Sequence, residues 1–427
     1  MIAYQKIYSS YDTIDYCRAM KRTTFIHEMF RKYYQNEASS VLMEPPKIER
    51  REFGFIMFEG GMLRHKSFRS KDELVTFMRD FAPSDAYYSC AYYENPEAEM
   101  DEKGWLGADL VFDIDADHIR TPCKKVHDSW ICTNCGFAGR GYTPEKCPSC
   151  GMEKFEEKTW PCEVCLETAK DEAIKLIDIL TADFGFSPKE VKVYFSGHRG
   201  YHIHVESESI QELDSMARKE IVDYIIGLGL DVNFHGFNVY GSSIMGPSLD
   251  DSGWRGRIAK GTYEFLLRAS VDDLKKLGLR RKTIEKLLSQ KDYILENWGR
   301  RNPWALLKGI VGKNWIKIAE YGARFQTSQI DTVVTTDIHR LIRLSESLHG
   351  KTGFRKIQIQ NDIEGFDPLK EAIAFHHGTL KVFVSEAPKL RVGEETYGPF
   401  KECKVELPTA VAMLLLCKGA AEVLNDV

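Results

Sequence analysis

Two aspartates stand two positions apart in the run Asp109-Leu-Val-Phe-Asp113-Ile-Asp115. Read as a strand, the run sends Leu110, Phe112 and Ile114 to one face and Asp113 and Asp115 to the other. Alternate residues of a strand lie roughly 6.5–7 Å apart, and two carboxylates that close repel each other unless a cation neutralises them. A hard divalent ion, its shell completed by phosphate oxygens, suits such a pair and serves phosphoryl or nucleotidyl transfer. The bland alternative is a strand with one wet face.

A second group has the opposite character. Val191-Lys-Val-Tyr-Phe195 reads as a buried strand and Tyr201-His-Ile-His-Val205 as an alternating one, with Ser196-Gly-His-Arg-Gly200 between them. Gly197 and Gly200 bracket a turn at which backbone can approach a ligand closely. Ser196, His198, Arg199, His202 and His204 surround it, all donors or potential cations and none acidic. Such groups suit anionic oxygens; a polar hairpin tip with incidental histidines is the competing reading.

Seven of the eleven cysteines fall between Cys123 and Cys165. Cys132-x-x-Cys135 and Cys147-x-x-Cys150, eleven residues apart, have zinc-ribbon spacing, because two intervening residues let both sulfurs of a pair face one Zn²⁺. Cys123-x-x-x-His127 and Cys162-x-x-Cys165 flank them and make a second Zn²⁺ set if the ribbon loops out between the two halves. Nesting keeps each pair in a compact loop. A mixed partition, such as Cys132 and Cys135 with Cys162 and Cys165, is the alternative, and His118 is a possible substitute for His127. Cys17, Cys90, Cys403 and Cys417 read as core thiols.

The hydrophobic-Asp-hydrophobic-Asp run, Ser196-Gly-His-Arg-Gly-Tyr-His202, Ile330-Asp331-Thr-Val-Val-Thr335 and Arg343-Leu-Ser-Glu-Ser-Leu-His349-Gly-Lys-Thr-Gly353 resemble, in this order, motifs of the small catalytic subunit of archaeal and eukaryotic-type DNA primases. Arg51-Glu-Phe-Gly-Phe55 is similar to that family's N-terminal segment. The resemblance implies an α+β, archaeo-eukaryotic primase-type catalytic core with a mixed sheet, a zinc-binding insertion and a small helical subdomain. It implies Asp113, Asp115 and Asp331 as catalytic carboxylates holding Mg²⁺ or Mn²⁺. It also implies triphosphate contacts from Ser196, Arg199 and His202, with His198 where some relatives carry Arg. Arg343 and His349 match a second phosphate-contacting segment and Arg51 a third basic position. Cys123, His127, Cys162 and Cys165 match the family's zinc knuckle, which leaves Cys132, Cys135, Cys147 and Cys150 as an inserted second zinc site. Asp109 and Asp117 share strand parity with the acidic pair but lie outside the resemblance and are expected to be structural; His204 alternates with His202 and is expected to flank the cleft, and Lys351, two residues past His349, is a secondary candidate.

The activity so implied is DNA-templated synthesis of short primers from nucleoside triphosphates by two-metal nucleotidyl transfer during DNA replication. The expected partners are a large primase subunit in a heterodimer and a single-stranded DNA template. Two other readings are a same-superfamily repair polymerase that extends existing primers, and a non-enzymatic zinc-containing subunit that binds nucleic acid. The last suits the cysteines but leaves the three aspartates without a purpose.

The elements that must position these residues follow from the pattern of the 427-residue chain. Its 43% hydrophobic and 28% charged content is that of a globular protein. The longest apolar run, Ala410 to Cys417, is far shorter than the roughly 20 residues that span a bilayer and reads as a buried helix. With no signal-peptide pattern, the protein is expected in the cytoplasm, or in the nucleus if eukaryotic. Helices are expected at about 12–38, 71–80, 166–184, 337–343 and 368–374, and strands at 53–58, 62–68, 87–92, 108–115 and 191–205, with strand signals again after 330. The expected division is 1–206 as the N-terminal part of the catalytic core, including the zinc-binding segment 123–165, then 207–325 as a mainly helical insertion, and 326–427 as the rest of the core. The net charge is −5, yet Arg255 to Lys313 holds 15 Lys/Arg against 6 Asp/Glu. Trp254, Tyr293, Trp298 and Trp304 are interspersed there, which makes this stretch a candidate phosphate-tracking surface.

Overall fold

The structure is a computed structural model that describes residues 10–240, 243–299, 303–305, 312–360 and 362–424. The chain divides into two compact units, one of residues 1–171, 192–216 and 331–427, the other of 172–191 and 217–330. The strands that build the site are, in chain order, β1 (Phe53–Ile56), β2 (Met62–Lys66), β3 (Asp85–Ser89), β4 (Leu110–Asp115), β5 (Val191–Phe195), β6 (Gly200–Val205), β7 (Leu341–Arg343) and β8 (Ile357–Ile359). They form two four-stranded sheets, one ordered β7-β3-β1-β2 and the other β8-β5-β6-β4. The α+β class is as expected, with the sheet divided in two; β1–β2, β1–β3, β3–β7, β4–β6 and β5–β8 all pair antiparallel.

Alternation accounts for β4. Leu110, Phe112 and Ile114 are fully buried, while Asp113 and Asp115 are only partly so. The expected helix at 71–80 is present as Lys71–Phe81, capped by the Ser70 side chain on the Glu73 amide, with Leu74, Val75 and Met78 turned inward. The apolar C-terminal run is the helix Thr409–Cys417, buried almost throughout. It packs against a three-stranded sheet in which Thr379–Ala387 lies between Phe400–Pro408 and Ala421–Val423.

Two local expectations fail around residue 335. The β-branched run after Asp331 is the short helix Thr332–Thr336, because the Asp331 carboxylate caps the Val333 amide at 2.9 Å. Residues 337–343, whose apolar spacing suggests a helix, instead contribute β7, which pairs Ile342 with Tyr88 at the edge of the first sheet. At 337–343 tertiary pairing overrides local preference, whereas at 332–336 a local cap decides the outcome.

The second unit is mainly helical. Its core contains Trp254, Ile258, Phe265, Trp298, Trp304 and Trp315. Helices Gly253–Arg268 and Gly312–Ala323 approach so closely that a Cβ on Gly261 would sit 2.2 Å from the Gly322 carbonyl oxygen. This corrects the reading of the basic stretch. Trp254, Trp298 and Trp304 are core side chains that cannot stack on bases, and Tyr293 alone of the four aromatics is exposed. Much of the positive charge is also paired locally, Arg257 with Asp178 and Asp183, and Arg281 with Glu285. Arg300, Arg301 and Lys308 lie outside the described residues.

Candidate active site

β6 lies beside β4 with His202 opposite Asp113 and Gly200 opposite Asp115. Only glycine fits at 200, since a Cβ there would stand 2.3 Å from the Ile114 carbonyl oxygen. Asp331 reaches the same strand through its backbone, its N–H donating to the Asp113 carbonyl at 2.8 Å. A pocket of about 190 Å³ opens here, lined by Asp113, Asp115, Ser196, His198, His202, Arg343 and His349, with Tyr87, Val334 and Arg340.

One wall is acidic and lacks a counterion. Burial, and then the neighbouring charges of Asp115 and Asp331, push the Asp113 carboxyl up to about 7. Asp115 is also raised, by burial against the opposing pull of Arg199. His202 Nε2 stands 3.4 Å from the Asp113 carboxylate, and burial holds that imidazole well below its ordinary pKa, so it remains neutral. Among the described residues neither Asp113 nor Asp115 pairs with Lys or Arg. Unneutralised carboxylate oxygens on one wall are the donor set that a hard divalent cation takes, so these residues fit such an ion.

The other wall is made of donors. The Ser196 hydroxyl oxygen accepts from the His198 and Gly200 amides at 3.3 and 3.1 Å, which leaves its own O–H to donate. Arg343 is held in place by Asp85 at 2.5 Å and by the Tyr87 hydroxyl at 3.1 Å. His349 stacks on His198 with ring centroids 5.1 Å apart. Carboxylates facing neutral and cationic donors across a small pocket make a site that can take a polyanion together with metal ions.

The cysteines gather as two separate groups. The ligand atoms of Cys123, His127, Cys162 and Cys165 lie within 4.8 Å of one another, and so do those of Cys132, Cys135, Cys147 and Cys150. Sulfur separations of 3.4 Å for Cys123–Cys165 and 3.6 Å for Cys132–Cys150 and Cys135–Cys147 are far too long for disulfides. They approach the edge of a tetrahedron around a thiolate-bound ion. The geometry favours the nested partition with His127 over His118. His127 Nδ1 bonds the Asp128 carboxylate at 2.7 Å, leaving Nε2 toward the sulfurs, 3.5 Å from Cys165; a carboxylate behind a ligand histidine is the usual support at a metal site.

Sequence comparison bears directly on this pocket. Residues 151–360, which include the β5–β6 turn, Asp331, Arg343 and His349, match the family described as DNA primase small subunit. The DNA primase small subunit PriS of Methanothrix thermoacetophila is 36% identical over 430 residues, covering 94% of this chain and 99% of the relative. Its namesakes from Nitrosopumilus maritimus and Archaeoglobus fulgidus are 32% and 34% identical, over 93% of this chain and 98% and 97% of theirs. The chain belongs to the DNA primase small subunit family. These alignments extend beyond the matched segment over nearly the whole chain, and the acidic pair on β4 lies upstream of that segment.

Two residues that the primase resemblance places on the nucleotide stand elsewhere. Arg51 is fully buried and bonds Asp109 at 2.6 Å and the Ser89 and Cys90 carbonyls at 2.9 and 2.7 Å. Arg199, 1% exposed, bonds both Asp128 carboxylate oxygens at 3.0 and 2.9 Å, the Trp160 carbonyl, and Asp117. Neither lines the pocket. Asp109 and Asp117 are thus the structural partners of buried arginines, and Arg199 ties the β5–β6 turn to the cysteine-rich segment. Removing one partner of a buried ion pair costs roughly 3–5 kcal/mol. Arg199→Ala is therefore expected to lower the melting temperature by several degrees, measured by calorimetry at neutral pH; an unchanged melting temperature would show that the pair does not support the turn.

Sequence reasoning missed Tyr87, Arg340 and Lys418. Tyr87 and Arg340 line the pocket outside any recognisable motif. Lys418 follows the C-terminal helix and places Nζ 2.7 Å from His198 Nε2, across 220 positions of sequence. No spacing rule connects residues so far apart.

Proposed function

We propose that the chain is the catalytic subunit of a DNA primase, a nucleotidyltransferase that makes short primers on single-stranded DNA from nucleoside triphosphates. The observation that carries this reading is the pocket with Asp113 and Asp115 on one wall and Ser196, His198, Arg343 and His349 on the other, in a chain of this family. Asp113, Asp115 and Asp331 would hold Mg²⁺ or Mn²⁺, which when bound supplies charge stabilisation at the attacking 3′-hydroxyl, the α-phosphate and the departing pyrophosphate. Ser196 and Arg343 donate to triphosphate oxygens, and the stacked pair His198 and His349 closes the donor wall. His202, beside Asp113, presents a neutral ring that adds no competing charge to the acidic wall.

The subunit name shared by the relatives supports a primase complex, with a large subunit as heterodimeric partner. Among the described residues no helix is long and apolar enough to cross a membrane. The deciding assay supplies single-stranded template and nucleoside triphosphates without a primer, alone and with the candidate large subunit. Template-dependent primers are expected; extension of a supplied primer with no primer-free product would make the chain a repair-type polymerase instead.

Both cysteine groups are proposed as structural zinc sites, since four protein ligands leave no position for substrate. Elemental analysis of protein purified without chelator should find about two zinc ions per chain, one for each four-ligand set. The double variant Cys132→Ser/Cys135→Ser should retain one. An unchanged count in the variant would refute the nested assignment.

A further inference from the structure

His198 is held at one ring nitrogen only. Lys418 Nζ lies 2.7 Å from Nε2 and the Thr159 hydroxyl 3.5 Å from the same atom. Nδ1 has no hydrogen-bond partner among the described residues, although the ring lines the pocket. Burial, and then the charges of Arg199 and Lys351, bring the Lys418 amine down to about 7; below that pH it is an ammonium, which can only donate, so Nε2 accepts and the proton of a neutral ring resides on Nδ1. The ring is neutral because burial, and then Lys418, His349, Lys351 and Arg343 around it, press its pKa well below the ordinary value.

The fold delivers the ammonium with little freedom. Lys418 follows immediately after the buried helix Thr409–Cys417, its own N–H bonded to the Leu414 carbonyl at 3.0 Å, and Gly419 then turns the chain away in the left-handed region. Among the described residues Lys418 forms no ion pair with a carboxylate. Its polar contact is the imidazole.

We propose that Lys418 is a positioning residue of the nucleotide's phosphate subsite, fixing His198 as the Nδ1–H tautomer so that the imidazole donates to an anionic oxygen in the pocket. Without the ammonium, Nε2–H can donate to Thr159, and Nδ1 then turns a lone pair toward the phosphate. The same ring changes from donor to repelling acceptor. This inference rests on the primase reading for the identity of the ligand, but the tautomer itself does not depend on it.

The test uses the full-length chain with its large subunit. Lys418→Met should raise the nucleoside triphosphate KM on the order of ten-fold, the worth of one hydrogen bond to a charged oxygen, with kcat little changed and template affinity unaltered. Lys418→Arg, which keeps a donor, should restore most of the loss. His198→Ala should show a similar rise, and adding Lys418→Met to it should produce no further one. Nitrogen-15 spectra of histidine-labelled wild-type chain, recorded at pH 6 where Lys418 is protonated and assigned with His198→Ala, should show the proton on Nδ1. An unchanged KM in folded Lys418→Met, fully multiplicative effects in the double variant, or a proton on Nε2 in the wild type would each overturn the proposal. If Lys418→Met fails to fold, Lys418→Arg and the wild-type spectrum decide. A wild-type complex that makes no primers defeats the primase reading instead, and the spectrum still decides the tautomer.

Discussion

Asp113→Ala and Asp115→Ala are each expected to reduce template-dependent nucleotide incorporation to background while leaving the fold intact. Both carboxylates face the pocket from β4, and no lysine or arginine pairs with either among the described residues. Each alanine variant would therefore remove a proposed metal ligand without stranding a buried cation, Asp115→Ala giving up only the 2.8 Å hydrogen bond that the Asp117 amide donates to Asp115. Stability should move in the opposite direction to activity. The folded Asp113 carboxyl titrates at about 7 against an ordinary value of 3.8, so between these values the folded chain binds more protons than the unfolded one. Stability of the metal-free protein must then fall as pH rises through that window. Asp113→Asn abolishes this term. Measured by thermal melting in chelator at pH 8, it should be more stable than wild type by on the order of 2 kcal/mol, a value reduced for the partial solvation of this carboxylate. Near-wild-type incorporation by either alanine variant would remove that residue from the catalytic role. A Asp113→Asn protein less stable than wild type would contradict the electrostatics of the wall.

Breaking the outer cysteine cluster should have the second largest effect, and it should far exceed that of breaking the inner one. Cys165 is completely buried at the head of the helix Glu163–Ala182. His127 leans on Asp128, and Asp128 holds Arg199 in the turn that carries Ser196 and His198. Loss of an ion held there would thus propagate through two buried contacts to the donor wall. Structural zinc contributes folding free energy directly. The double variant His127→Ala/Cys165→Ser is expected to lose several kcal/mol, roughly ten degrees of melting temperature at this size, together with primer synthesis. Cys135→Ser, at an exposed position of the inner cluster, should cost less in both. Equal losses in melting temperature and activity for the two variants would show that the outer cluster has no privileged connection to the pocket.

What the sequence disclosed depended on whether the relevant physics was local. The β4 alternation, the β5–β6 turn and the C-x-x-C pairs all lie within a few residues of themselves, and the structure brings their side chains together in the expected way. Arg51 and Arg199 could not be separated from phosphate ligands by type alone, because Asp109 and Asp128, the carboxylates that neutralise them, are 58 and 71 positions away. The tryptophans among the basic residues posed the same problem: only the packed helical core reveals that they are inside. At residues 332–343 local preference pointed the wrong way twice, since an aspartate cap and a sheet edge decided the outcome.

The nesting of one cysteine cluster within the other has a bearing on how the chain can assemble. His127 and Cys162 are joined by a long connection, and closing a flexible loop costs entropy that grows with its length. The inner cluster draws Cys132 and Cys150 to within 3.6 Å of each other, and Ser129–Cys132 is already paired with Phe155–Lys158. Once those contacts exist, the two halves of the outer cluster are tethered by short stubs in place of a free loop, a saving on the order of 1 kcal/mol. The ribbon can thus act as a folding clasp for the segment that braces the catalytic turn, even though it supplies no residue to the pocket.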